Sequence, residues 1–565
     1  MGTTTIHYDL LLKKIREQDA DYNHEIKLLR VPFSSPGYHT TLKNIDYAHT
    51  TYPNMIYAVS LLDSGLPEYE KRALDVIRSI LALQDTDPEH DTYGIWPWFY
   101  EEPLTQMSPP DWNWADFIGK LLLQAVTRHK SRLPQDLQEE IRQAVFHACN
   151  AIIKRDVGPW YTNIAIMGSF VTVIAGEVYA RKDYLDYGIK RMERFQAFTG
   201  RLKTFMEYNS PAYAPITILE LSKLRGETKQ AWVKEICEDM LDLAWGMVSE
   251  HYHASTKQWA GPHSRSYRTL LKPDTEAFLQ LATDGAAYYR PWEELYYSPE
   301  WYRSGIRCPD KYLHRFRESK AETIRRVTSR NEDTGHEKWA TSYITPQYTL
   351  GTFSKEIFWN QTRGIVSYMD NKGQAVYVAL RVLKNGYDYS SGLLVSQQHE
   401  GTALAGIEFF THGGDTHPML DKKSGVFEAE DFRVRFEIGG FLEGVACTLA
   451  EPDRVELSVN GLVSSFRLLY GEFQDETDDR PTQLRWELSR QDGLWCADCV
   501  IHSGPARTLD FHRIRKAALL FAVSIGSPLE PWDIKVASEE NRVRATAHSN
   551  EAELETAVRV RPRDV

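Results

Sequence analysis

The chain has 565 residues and a mass of 65.1 kDa, more than one hydrophobic core usually organises, so two domains are expected. Hydrophobic residues make up 42% and charged residues 25%, the balance of a soluble globular protein, and the net charge of −12 with no basic block excludes a nucleic-acid partner. No apolar run reaches the roughly 20 residues of a membrane span, and six cysteines in a chain this long make no disulfide framework.

Met1-Gly-Thr-Thr-Thr-Ile leads straight into the charged amphipathic stretch Asp9 to Arg16, without an apolar leader, which points to a cytoplasmic protein. From Tyr52 to about Asp284 apolar residues recur at helical spacing. That spacing predicts helices near 52–64, 68–84, 114–130, 135–155, 162–181, 183–199, 212–225 and 228–252, with Pro134 opening one and Gly226 marking a joint. Helices with such short joints run antiparallel, and a closed ring of helical hairpins buries every apolar stripe. The longer joints, Tyr93 to Trp114, Val157 to Asn163, Thr204 to Tyr213 and Trp259 to Thr269, carry the aromatic and polar residues and are expected to converge on a cleft. The charged stretch Arg315 to Glu337 reads as a linker.

From Trp339 the period becomes two, as in Gln374 to Val382, Phe432 to Ile438 and Arg454 to Val459. Short strands without intervening helices imply an antiparallel sandwich. The fold class is therefore α+β, with a helical ring over 1–335 and an antiparallel β-sandwich over 336–565. Cys496-Ala-Asp-Cys499 has redox or zinc spacing, but it lacks a second pair and lies in a strand-like run, so it reads as core.

Four helical-half segments carry residues suited to chemistry on a sugar. In Tyr93-Gly-Ile-Trp-Pro-Trp98 and Asp111-Trp-Asn-Trp-Ala-Asp116, Trp98, Trp112 and Trp114 can stack on a pyranose while Asn113 hydrogen-bonds it; Asp111 equally suits a helix cap. Trp160, Tyr161 and Asn163 open the long apolar helix, where an amide beside exposed N–H groups can hold a carboxylate or simply cap the helix. In Glu207-Tyr-Asn-Ser-Pro-Ala-Tyr213, Pro211 forces a turn that fixes Tyr208 and Asn209 while Tyr213 enters the next helix, with Ser210 available as an N-cap. In Gly261-Pro-His-Ser-Arg-Ser-Tyr267, His263, Arg265 and Tyr267 alternate, so an extended strand would turn all three to one side, where Arg265 would favour a tyrosinate.

With Tyr348-Thr-Leu-Gly-Thr-Phe353 and Trp359-Asn-Gln361, these segments resemble polysaccharide lyases of the heparinase II/III and chondroitin-lyase type. The resemblance is architectural, spans most of the chain and rests on short motifs. It implies an (α/α) toroid with a β-sandwich and β-elimination on a uronic-acid-containing glycan, leaving a 4,5-unsaturated uronide. It casts Asn163, Asn209 and Arg265 as neutralising the substrate carboxylate. His263, Tyr208, Tyr213 and Tyr267 become the candidate base and acid. No cofactor is required by that scheme. A structural divalent ion, zinc or calcium, is implied for the β half, where His412, Asp415 and His417 offer ligands; His399 and Glu400 either extend toward a cleft or cap a strand. The acidic charge argues against a sulfated polymer and for a less charged uronide, down to an oligosaccharide. The alternative is a glycoside hydrolase on the same ring, using paired carboxylates among Glu102, Asp111, Asp116 and Glu207. A non-catalytic glycan-binding protein ranks last, since stacking needs no titratable groups.

Overall fold

The computed structural model describes residues 3–35, 38–421 and 424–564. Its α-helices are α1 (Thr3–Gln18), α2 (Thr51–Asp63), α3 (Glu70–Leu81), α4 (Trp114–His129), α5 (Gln135–Arg155), α6 (Thr162–Val178), α7 (Lys182–Leu202), α8 (Ala214–Glu227), α9 (Ala231–His251) and α10 (Pro273–Ala282). All eight expected helices form within a few residues of their expected ends, while α1 and α10 were not anticipated as helices. No described helix is long and apolar enough to cross a membrane.

Two compact units divide the chain. The first comprises residues 1–206, 215–245 and 276–308; the second comprises 207–214, 246–275 and 309–565.

In the first unit, helices alternate between two kinds of sequence. α2, α4 and α6 are buried almost all round, α6 from Thr162 through Gly176 without a break. α3, α5 and α7 each bury one stripe, such as Ala73, Val76, Ile77 and Ile80 on α3. Accordingly α2 packs on α4 and α4 on α6 as an inner row, with α3, α5 and α7 paired outside them. This double layer of hairpins is the arrangement of an (α/α) toroid. Between the inner helices lies an ionic network: the Lys120 ammonium is 2.6 Å from Glu220 and 3.0 Å from Glu300, Lys223 is 2.7 Å from Glu300, and the Tyr52 hydroxyl donates to Glu300 at 2.6 Å. Burial works against the Glu300 carboxylate, yet Lys120 and Lys223 outweigh it and hold its pKa well below the usual range.

The second unit is built on antiparallel sheets. The larger runs Trp486–Gln491, Leu494–Asp510, Val426–Gly440, Gln374–Lys384, Ile365–Asn371, Tyr348–Phe353, Glu337–Ile344 and Glu322–Arg330, with Tyr387–Asp388 beside Gln374–Lys384. The facing sheet includes Gly392–His399, Thr402–Phe409, Lys516–Ser524, Leu462–Gln474 and Arg454–Val459. Alternate residues meet between them: Val376, Val378, Leu380 and Val382, with Phe432, Val434, Phe436 and Ile438, share one core with Ala405, Ile407, Leu519, Phe521, Val455 and Leu457. A three-stranded sheet, Asp533–Glu539, Arg542–His548 and Glu553–Arg559, covers the other face of the second sheet through Val543, Ala545 and Val558 against Leu404 and Leu520.

The supposed linker Arg315 to Glu337 contains the strand Glu322–Arg330. That strand ends the sheet order, and charged residues on an edge strand discourage pairing with other chains, which explains a charge-rich sequence in a β conformation.

Candidate functional site

In the second unit, the turn Glu207 to Tyr213 and the loop Gln258 to Thr269 are fastened to the end of the larger sheet. His263 and Arg363 exchange backbone hydrogen bonds at 3.1 and 2.9 Å, and Ser266 N–H donates to the Gln361 carbonyl at 2.5 Å. Gly351 permits this approach, because a Cβ there would stand 2.0 Å from the Gly261 carbonyl. Leu270 covers Val366, Tyr368, Tyr377 and Ala379 on the sheet's outer face.

Tyr213, Arg265 and Tyr267 meet on this platform. The two phenol oxygens are 2.8 Å apart, Arg265 Nη2 donates to Tyr213 Oη at 3.0 Å, and the guanidinium carbon lies 4.0 Å from the centroid of the Tyr213 ring. Arg265 is fixed by Glu207 Oε1 at 2.8 Å and Gln361 Oε1 at 2.6 Å. Burial raises the Tyr213 pKa well above 10, and Arg265 only partly offsets it. Arg265 pulls the Tyr213 phenol toward ionisation, but desolvation outweighs the cation, so Tyr213 is a phenol at neutral pH.

His263 does not stand in one row with Arg265 and Tyr267. It is fully buried, its Nδ1 is 2.7 Å from the Asn209 carbonyl, and burial depresses its pKa to about 3. Tyr267 at φ +62° breaks the extended run. The imidazole is therefore held neutral and enclosed in the packing of this loop, with Nε2 lacking a hydrogen-bond partner, rather than presented beside Arg265 and Tyr267. Tyr208 and Asn209 are likewise enclosed in the packing of the unit. Both are buried; Tyr208 Oη is 3.0 Å from His251 Nε2, and burial pushes its pKa up. Asn209, at φ +47°, donates to the carbonyls of Ala260 and Pro262 at 2.7 and 3.0 Å and accepts from the Trp259 indole at 2.6 Å. Ser210 Oγ accepts the Tyr213 N–H at 3.0 Å, a capping bond at the entrance of α8.

In the first unit the tryptophans divide. Trp96 is buried, whereas Trp98 is partly exposed and donates to Asp111 Oδ2 at 3.1 Å. Asp111 Oδ1 accepts the Asn113 N–H at 3.1 Å, just ahead of α4. Trp112 donates to the Asp91 carbonyl at 2.9 Å, and Trp114 donates to Thr51 at 2.9 Å with its ring 5.3 Å from Trp98. Asn113 accepts from Arg155 at 2.6 Å and donates to the Tyr161 hydroxyl at 3.4 Å. Trp160 is 54% exposed and stacks on Tyr161 with an interplanar angle of 17°, the arrangement of an aromatic platform open to a sugar ring. Asn163 is not the cap of α6; it is the second residue of that helix and is buried.

The four carboxylates of the hydrolytic alternative are engaged or enclosed. Glu102 is buried and accepts from Thr41 N and Oγ1 at 2.6 and 2.7 Å; Glu207 holds Arg265 and Asp111 holds Trp98. Asp116 is buried with Oδ1 lacking a hydrogen-bond partner, and burial raises its pKa to about 7 against the pull of Arg191 and Arg155.

The expected metal ligands do not assemble. Asp415 pairs with Lys384, and the buried His417 accepts the N–H groups of Met419 and Leu420 on Nδ1 at 3.1 and 3.0 Å. Asp415 and His417 are thus engaged with Lys384 and with the backbone after the 411–417 turn rather than with His412. His399 and Glu400 form the end and turn of the Gly392–Phe409 hairpin. All six cysteines are buried thiols.

Two residues outside the expected set complete the second-unit cluster. Gln361 was legible only as part of Trp359-Asn-Gln361. Arg363, which donates to the Tyr267 carbonyl at 3.0 Å, carried no sequence signal.

A family model described as a domain of unknown function, DUF8769, matches residues 10–276. No curated protein matches the chain. Among solved structures, the chain is similar to heparinase III (TM-score 0.44, 9% identity, 90% of this chain and 82% of that one). It is also similar to the chondroitin AC lyase of Streptomyces coelicolor A3 in complex with chondroitin sulphate (0.49, 10%, 98% and 85%). A third similarity is to the heparan sulfate lyase HepC of Pedobacter heparinus (0.38, 9%, 97% and 89%).

Proposed function

We propose that the chain is a lyase that cleaves a uronic-acid-containing poly- or oligosaccharide by β-elimination, leaving a 4,5-unsaturated uronide. The observation that carries this reading is the contact of two phenols at 2.8 Å with a guanidinium on one of them. Elimination breaks the C5–H and C4–O4 bonds and forms C4=C5, so it needs one group to take a proton and another to give one. Tyr213 and Tyr267 fill both roles as a pair. In one relay Tyr267 Oη takes the C5 proton as its own proton passes across the hydrogen bond to Tyr213 Oη, and Tyr213 gives its proton to O4, so both phenols end as they began. Tyr213, whose burial keeps it protonated, suits the acid, since the departing alkoxide is a stronger base than a phenolate. Arg265 supplies the positive charge that the developing anions require. Trp160 and Tyr161 offer a stacking surface, and the net charge of −12 favours an unsulfated substrate.

The test is product absorbance in the conjugated-alkene ultraviolet band with a panel of uronic-acid glycans, intact and depolymerised. Tyr213→Phe and Tyr267→Phe are each expected to lower kcat by about 10²–10⁴-fold. Absence of the chromophore across the panel would remove the proposal. Hydrolysis is favoured by one observation, the Asp116 carboxyl with a pKa near neutrality. In that case Asp116→Asn, and not Tyr213→Phe, abolishes turnover and no chromophore forms.

A further inference from the structure

We propose that Arg363 is a positioning residue: it holds Tyr267 in the left-handed backbone that brings the Tyr267 phenol onto Tyr213. Its consequence for turnover rests on the lyase reading above, whereas the placement of Tyr267 does not. Arg363 lies just ahead of the strand Ile365–Asn371 and is 5% exposed. Its guanidinium makes four hydrogen bonds, all to neutral oxygens. Nη2 donates to the Tyr267 carbonyl at 3.0 Å, Nε to the Thr269 hydroxyl at 3.2 Å, and Nη1 to the carbonyls of Thr362 and Asn360 at 2.7 and 3.2 Å. Burial works against the charge of this side chain, and the carboxylates that pull the other way, Asp388 and Glu437, are paired with Arg381. A buried cation that meets only uncharged acceptors costs stability, and an apolar side chain would fill the position without that cost. What the guanidinium supplies, and an apolar group cannot, is a rigid fork that grips two stretches of chain at once: residues 360–362 and the loop 267–269.

Tyr267 needs such a grip. Its φ of +62° is a conformation that a residue with a bulky side chain rarely adopts, and it persists only where the surroundings hold it. The residues on either side are tied down separately. Ser266 N–H donates to the Gln361 carbonyl, the Ser266 hydroxyl donates to the Arg268 carbonyl, and the Tyr368 hydroxyl donates to the Thr269 carbonyl. At Tyr267 itself the carbonyl goes to Arg363. The left-handed turn directs the side chain toward Tyr213 and sets the two phenol oxygens 2.8 Å apart. Two residues before Arg363, the Gln361 side chain fixes Arg265 at 2.6 Å. One short segment at the end of the sheet thus aligns the cation through one residue and the second phenol through another. Proton transfer along the phenol pair depends on their separation, and a misplacement of about 1 Å can cost a reaction about 100-fold. Lysine keeps the charge but offers a point donor where arginine offers a fork, so Arg363→Lys removes the grip and keeps the electrostatics.

The experiment compares the full chain with Arg363→Lys, Tyr267→Phe and the double variant. Arg363→Lys should lower kcat by about 100-fold, with KM within about 2-fold of the wild type and an unchanged circular dichroism spectrum. In the Tyr267→Phe background the same substitution should change kcat by less than about 2-fold, because the group it aligns is already gone. A further loss of about 100-fold in that background overturns the proposal. A crystal structure of Arg363→Lys gives a readout that does not depend on turnover: the two phenol oxygens are expected beyond hydrogen-bond reach of each other. A Tyr213–Tyr267 contact kept as in the wild type overturns the proposal. A wild-type chain that yields no chromophore with any glycan removes the lyase reading and leaves the crystallographic comparison to decide the placement of Tyr267. If Arg363→Lys does not fold, Thr269→Val, which removes one of the four acceptors, takes its place with an expected loss of about 10-fold in kcat and the same two overturning results.

Discussion

Acidification should destabilise the protein well above the range in which ordinary carboxylates titrate, because three imidazoles in the loop 246–275 and the end of α9 are buried as neutral bases. Burial lowers His251 and His253 to about 4 and His263 to about 3, from an ordinary value of 6.5. The unfolded chain binds three protons below pH 6.5 that the folded chain refuses. Stability is therefore full above 6.5 and falls as the pH drops toward 4. Between pH 8 and pH 5 each group costs about 2 kcal/mol, about 6 kcal/mol together. Asp116 acts in the opposite sense: its folded value of about 7 stands above the ordinary 3.8, so the folded state gains a proton on acidification. That returns about 3 kcal/mol over the same interval, for a net loss of about 3 kcal/mol. Against a total stability of about 5–15 kcal/mol this is a large fraction. Urea unfolding followed by circular dichroism at several pH values measures it. His253→Gln should reduce the loss by about 2 kcal/mol and Asp116→Asn should enlarge it by about 3 kcal/mol. An unfolding free energy that stays level from pH 8 to pH 5 in the wild type and both variants would refute the reasoning.

Lys120→Met leaves Glu220 and Glu300 with one cation fewer in a buried site and should destabilise by about 3–5 kcal/mol, read as a lowered urea midpoint. Gly351→Ala places a methyl group against the Gly261 backbone and should cost about 1–3 kcal/mol while lowering turnover, since the loop bearing Arg265 and Tyr267 must move. Trp160→Ala removes an exposed ring and should leave the melting temperature unchanged while raising KM by about 10-fold with kcat intact; unchanged KM would deny the platform a part in binding.

Helix positions were legible because their cause is local. The apolar spacing that makes α5 or α9 amphipathic is written in the run of residues, and the long unbroken apolar stretch of α6 announced a helix buried on every side. Strands such as Arg454–Val459 were equally plain from their alternation. The charged strand Glu322–Arg330 was not, since an edge position replaces hydrophobic alternation with charge.

Residue types at the site were also visible in the sequence, but their roles were not. His263, Arg265 and Tyr267 alternate, which suggests a shared face; the sheet beneath them buries the first, and a left-handed backbone at the last turns it toward Tyr213. His412 suggested a metal ligand from its neighbours in sequence, whereas Asp415 and His417 turn to other groups and the side chains beside it in space are His512 and Asp564. Local periodicity determines which segments become helix or strand, because backbone geometry repeats over a few residues. Burial decides whether a phenol, an imidazole or a carboxyl holds its proton, and burial is a property of distant segments packed together, which no single stretch of chain contains.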